Sequence, residues 1–169
     1  PAHEYWHVVT FAHMSPLGRI DPPTWFVEGS AVYMANYAVT ASLTSGVITN
    51  QSDRTISFEN SFRDAMSNGL TNRAEYPGFK LNDFGYEQRD ASYSLGAWGV
   101  AYLLNKVDNQ EALLDILLPN YQELGWEGAF KHTFGLTTEE FYNEFELFLD
   151  LDIGDQLKIL PVPTFTPRT

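Results

Sequence analysis

Two histidines four residues apart, the first followed directly by a glutamate, stand in an apolar run at His3-Glu4-Tyr5-Trp6-His7. On a helix this H-E-x-x-H spacing puts both imidazoles on one face, within reach of a single ion. Tyr5, Trp6, Val8, Val9, Phe11 and Ala12 are expected to bury that helix, predicted over residues 2–14, and to hold the rings in place. Glu4 sits one residue from the first imidazole. It is badly placed to coordinate the same ion, yet well placed to lie beside an open coordination position and take a proton from water there. The bland alternative is a core helix whose two histidines are incidental and bonded to neighbours.

The chain has no cysteine, so any metal must be held by imidazole and carboxylate. A catalytic zinc takes three protein ligands plus water, and the third has to come from a second element packed on the first helix. Trp25-Phe-Val-Glu28-Gly-Ser-Ala31 supplies a carboxylate inside an apolar helical stretch, where it is costly unless paired, protonated or metal-bound. The Pro- and Gly-containing connector over residues 15–23 lets the second helix fold back so that Glu28 faces His3 and His7.

H-E-x-x-H followed by W-x-x-E-G-x-A resembles the gluzincin zinc peptidases, which include the thermolysin and aminopeptidase N types, and above all their small peptidase-MA-like domains. The resemblance implies Zn2+ held by His3, His7 and Glu28, with Glu4 as the general base that activates water. Ser92-Tyr93-Ser-Leu-Gly96-Ala97 is similar to a Y-x-K-G-A segment of the aminopeptidase relatives, which implies that Tyr93 stabilises the oxyanion; otherwise Tyr93 is a packed aromatic at a helix start. Leu95 stands where those enzymes have Lys, and Val27 where they have Asn. The Phe-Gly-Leu-Thr-Thr-Glu-Glu-Phe-Tyr-Asn-Glu-Phe stretch resembles the terminal helices of such domains. The implied fold is mainly α, a helical zincin C-terminal subdomain built around the H-E-x-x-H helix and the Glu28 helix. The sheet that would precede it, and whose edge strand binds peptide, is expected in an upstream part of a longer chain. The implied activity is hydrolysis of peptide bonds in a peptide or protein substrate. The rival expectation is a catalytically inactive, peptidase-like binding or structural subunit.

Helical spacing of apolar residues predicts further helices over residues 23–43, 57–67, 90–106, 111–118, 121–134 and 139–151. Pro119 is expected to break the fourth of these and Gly125 to interrupt the fifth. Gly135 followed by Thr137-Thr138-Glu139-Glu140 marks a helix stop and a capping box. Residues 68–86, with Gly69, Pro77, Gly78 and Gly85, read as a long loop covering something. Residues 1–160 are expected to form one catalytic-type domain and residues 161–169 a Pro-rich extended tail.

With 22 acidic against 10 basic residues, a net charge of −12 argues against nucleic acid as a partner. No apolar run is long enough for a membrane span, and the first residues lack the pattern of a signal peptide. The compartment stays open, with a secreted or cell-envelope setting slightly ahead of the cytoplasm. His13 and His132 are expected to be structural or exposed, and Asp83, Glu87 and Asp90 to be helix-start acids rather than partners of a ligand histidine. Trp98, Trp126, Phe141, Phe145 and Phe148 recur at helical spacing and are expected in the core.

Overall fold

Gly29 and Gly96 let two helices touch backbone to backbone, and the rest of the chain is arranged around that crossing. In a computed structural model describing residues 2–14, 22–47 and 58–163, these are α2 (Thr24–Thr44) and α4 (Arg89–Lys106). A Cβ on Gly96 would collide with the Trp25 carbonyl and stand 3.1 Å from Gly29 Cα, and one on Gly29 would collide with the Gly96 backbone. Glycine inside a helix costs about 0.5–1 kcal/mol relative to alanine, so its presence on both faces of one contact reflects the close approach.

Around this pair lie α1 (Ala2–Met14), α3 (Phe58–Ala74), α5 (Leu118–Phe134), α6 (Thr138–Leu149) and the short α7 (Ile153–Gln156). The fold is mainly helical, with no β-strand among the described residues. Trp25, Trp98, Phe141 and Phe145 are fully buried, and Phe148 and Trp126 nearly so, as their spacing predicts. The buried indoles have partners: Trp25 donates to the Tyr142 hydroxyl (3.1 Å) and Trp98 to the Phe62 carbonyl (3.2 Å).

Several boundaries differ from expectation. Helix α3 runs on to Ala74, because Met66, Gly69 and Leu70 continue a face that packs on α4. The loop is therefore shorter than residues 68–86. It carries 3-10 turns at Leu81–Asp83 and Tyr86–Gln88, and it covers core, burying Leu81 and Phe84 beside Tyr76 and Phe79. Pro119 does not break a helix. A π-helical turn, Leu113–Leu117, runs straight into α5, and Pro119 falls in the first turn, where its missing N–H is not needed. The interruption at Gly125 is present (φ 65°, ψ −176°), a backbone that glycine alone adopts readily.

The capping box forms as expected: the Thr137 side chain accepts from the Glu140 N–H (3.2 Å) and the Glu140 carboxylate accepts from the Thr137 N–H (2.7 Å). Helix α6 ends at Leu149 rather than residue 151. Buried Gln156 donates to the Leu149 and Leu151 carbonyls (3.3 and 2.8 Å), satisfying the frayed end from α7. The connector residues 15–21, residues 48–57 and tail residues 164–169 lie outside the described residues.

The largest correction concerns α1. Only Trp6, Thr10 and Met14 are buried, a single stripe at four-residue spacing, whereas Tyr5 (70% exposed), Val8 (65%), Phe11 and Ala12 face outward. Helix α1 packs on α2 and α5 along that stripe, which leaves its opposite side uncovered.

Candidate metal centre

Trp6 lies inside the H-E-x-x-H pentapeptide and points away from both imidazoles into the core. Its indole donates to the Ser30 hydroxyl (2.9 Å, buried), two residues beyond Glu28. That bond sets the register of α1 on α2 and so places the histidine face opposite the carboxylate.

His3 Nε2 and His7 Nε2 stand 3.1 Å apart, and each lies 3.3 Å from Glu28 Oε2. Three donor atoms from two helices thus form a nearly equilateral triangle. Glu28 is 6% exposed, yet its Oε2 has no hydrogen-bond donor among the described residues, and His7 Nδ1 is likewise buried without a partner. A buried carboxylate oxygen facing two imidazole nitrogens, with no donor aimed at it, is costly. A cation held by the three atoms would remove that cost. The three residues could hold a metal ion, and two imidazoles with one carboxylate leave a further position free.

Rings hold the imidazoles in place. Tyr93 stacks on His3 (centroids 5.9 Å apart, planes 15° apart), His3 meets His7 edge-on at 4.7 Å, and Phe11 stacks on His7 at 5.8 Å. Phe11, expected in the core, instead forms the outer wall of the site. Tyr93 arrives from the first turns of α4 because Gly96, one helical turn on, meets α2 beside Glu28. Burial, then hydrogen bonding with Glu28 and its charge, push the Tyr93 hydroxyl up to about 12, while Arg89 acts in the opposite direction. The phenol therefore keeps its proton at neutral pH. Tyr86, from the 3-10 turn, also approaches Glu28, and its hydroxyl is raised by burial and by that carboxylate.

His3, His7, Phe11, Glu28 and Tyr93 line an open cleft of about 490 Å³, with exposed Glu4 on its wall. The structure brings together all five residues singled out from sequence: His3, Glu4, His7, Glu28 and Tyr93. No family model, curated protein or solved structure matches the chain.

The other candidates fall elsewhere. His13 is exposed and donates from Nδ1 to the Val9 carbonyl (2.9 Å); His132 is exposed in the last turn of α5. Asp83 accepts from the Lys80 N–H (2.8 Å) at a 3-10 turn, and Glu87 and Asp90 stand in first turns. None of the three partners His7 Nδ1. Sequence reasoning passed over Ser30, Tyr86, Arg89 and the Gly29–Gly96 contact. The sequence signal for the last was a glycine inside each of two helical patterns.

Proposed function

We propose that this chain carries the active-site half of a zinc-dependent peptidase of the gluzincin kind, a helical zincin subdomain acting on peptide or protein substrates. One observation carries the reading. Ligands bound at 2.0–2.1 Å to a tetrahedral zinc stand about 3.3 Å from one another, which matches the 3.1–3.3 Å edges of the His3, His7 and Glu28 triangle.

When bound, the metal polarises the scissile carbonyl and makes water a nucleophile near neutral pH. His3, His7 and Glu28 would hold it. Glu4, exposed on the cleft wall, accepts the proton of the attacking water and returns it to the leaving amine. The Tyr93 hydroxyl, kept protonated beside Glu28, donates to the oxyanion that develops as the carbonyl becomes tetrahedral.

The experiment is metal analysis and peptide turnover on the natural full-length chain. About one zinc per chain is expected, lost in His7→Ala and in Glu28→Ala. Glu4→Gln should keep zinc and fold while turnover falls by several orders of magnitude, because the amide retains the shape and lacks the base. Tyr93→Phe should lower kcat on the order of a hundredfold with little change in KM. Zinc retained by the His3→Ala/His7→Ala double variant, or Glu4→Gln cleaving as fast as the parent, overturns the reading. A chain that holds zinc and cleaves nothing in a diverse peptide library is instead a binding subunit.

A further inference from the structure

Among the described residues, Arg89 is the one Lys or Arg side chain on the wall of the metal cleft, and it forms no ion pair there. The ion pairs in this acidic chain occupy other cations: Arg63 with Glu59, Arg73 with Glu146, Lys106 with Glu144 and Lys158 with Asp155. Arg89 takes part in none of them. It also stands in the first turn of α4, where the helix dipole disfavours a cation. Glu4 and Glu28 share the cleft with it and Glu75, Glu87 and Asp90 line the adjoining pocket, yet none of them forms an ion pair with it among the described residues.

The guanidinium lies over the Tyr93 ring, 5.1 Å from its centroid. A cation–π contact leaves the guanidinium N–H groups free to donate to a ligand. Tyr93 in turn stacks on His3. The guanidinium thus lies beside the ring that stacks on His3, on an exposed side chain that solvent and ligand can reach. A guanidinium edge matches the two coplanar oxygens of a carboxylate. The nearby acids Glu4 and Glu28 disfavour a dianion such as phosphate more than a monoanion.

We propose that Arg89 is a specificity-determining residue of the cleft, binding a carboxylate carried by the peptide ligand. This rests on the metallopeptidase reading above. The carboxylate belongs either to the peptide C-terminus or to an Asp or Glu side chain, and both present the same planar anion.

The test is equilibrium binding, measured by calorimetry on the zinc-loaded Glu4→Gln chain, so that no turnover is needed. The probes are mercaptoacetyl peptides of one to three residues, whose thiol ligates the metal. They come in three matched forms: free C-terminus without acidic side chains, C-terminal amide without acidic side chains, and C-terminal amide with a Glu. At least one carboxylate form should bind about tenfold or more tightly than the neutral amide, a difference of about 1.4 kcal/mol. Which form does so identifies the source of the carboxylate. Arg89→Ala and Arg89→Gln should reduce that ratio to near one and Arg89→Lys should keep part of it, each ratio being taken against neutral-amide binding by the same variant. Zinc and neutral thiol bound with no carboxylate preference, or a preference that survives Arg89→Ala, overturns the role of Arg89 and leaves the metallopeptidase reading standing. A chain that binds neither zinc nor thiol overturns both.

Discussion

Ser30 illustrates how much a single side chain decides at this site. Its hydroxyl is buried and accepts the Trp6 indole N–H at 2.9 Å, and this bond joins the helix of His3 and His7 to the helix of Glu28. Ser30→Ala leaves that N–H buried without an acceptor, a loss of about 1–3 kcal/mol. Denaturant unfolding should show that loss, and competition with a chelator should show weaker zinc binding, because the helix register also sets the ligand triangle. Unchanged zinc affinity in a destabilised Ser30→Ala protein would mean that α1 is positioned by other contacts. Within one pentapeptide the sequence divides its tasks: His3 and His7 face Glu28, Glu4 faces the cleft, and Trp6 faces the core.

Helices α2 and α4 matter as elements because they meet without side chains between them. Gly29 follows Glu28, and Gly96 lies one turn after Tyr93, so the crossing delivers a carboxylate and a phenol to the same place. Gly29→Ala or Gly96→Ala drives a Cβ into backbone, which no rotamer change relieves. Overpacking of this kind typically costs about 1–3 kcal/mol or more. The measurement is urea unfolding with metal removed, so that binding does not mask stability. Gly96→Ala should be at least as damaging as a core truncation, whereas Gly154→Ala, which meets nothing nearby, should shift the midpoint little. Equal midpoints for the two would contradict the backbone contact. Helix ends follow the same logic: Thr137 and Glu140 were legible as a start because capping is local in sequence. The end of α6 was not, because Gln156 caps it from another helix.

For the whole molecule, alkaline pH tests how the buried phenols are held. Tyr33, fully buried, is raised well above its ordinary value by burial and then by Tyr37; Tyr102 is pushed up to about 12 by burial and by Glu144. A phenol with a raised folded pKa contributes stability that is complete below the unfolded value near 10 and is lost as pH rises towards the folded value. The thermal midpoint should therefore be unaffected by these groups up to about pH 10 and fall above it. Tyrosinate absorbance from the buried rings should appear together with loss of helix. Full ionisation near pH 10 with helix intact would rule this out. The sequence alone determined the helical spacing, the capping box, the core aromatics and the residues able to ligate a metal, since each is encoded within a few neighbouring positions. Only the tertiary structure decided that Trp6 would hold α1 by one stripe while Tyr5 and Val8 stayed exposed, that the 75–86 segment would cover core, and that Arg89 would reach the cleft. It also decided the distances between His3, His7 and Glu28. Those outcomes depend on which helices meet and how closely, and that is settled by contacts between residues far apart in the chain, above all the glycine crossing of α2 and α4.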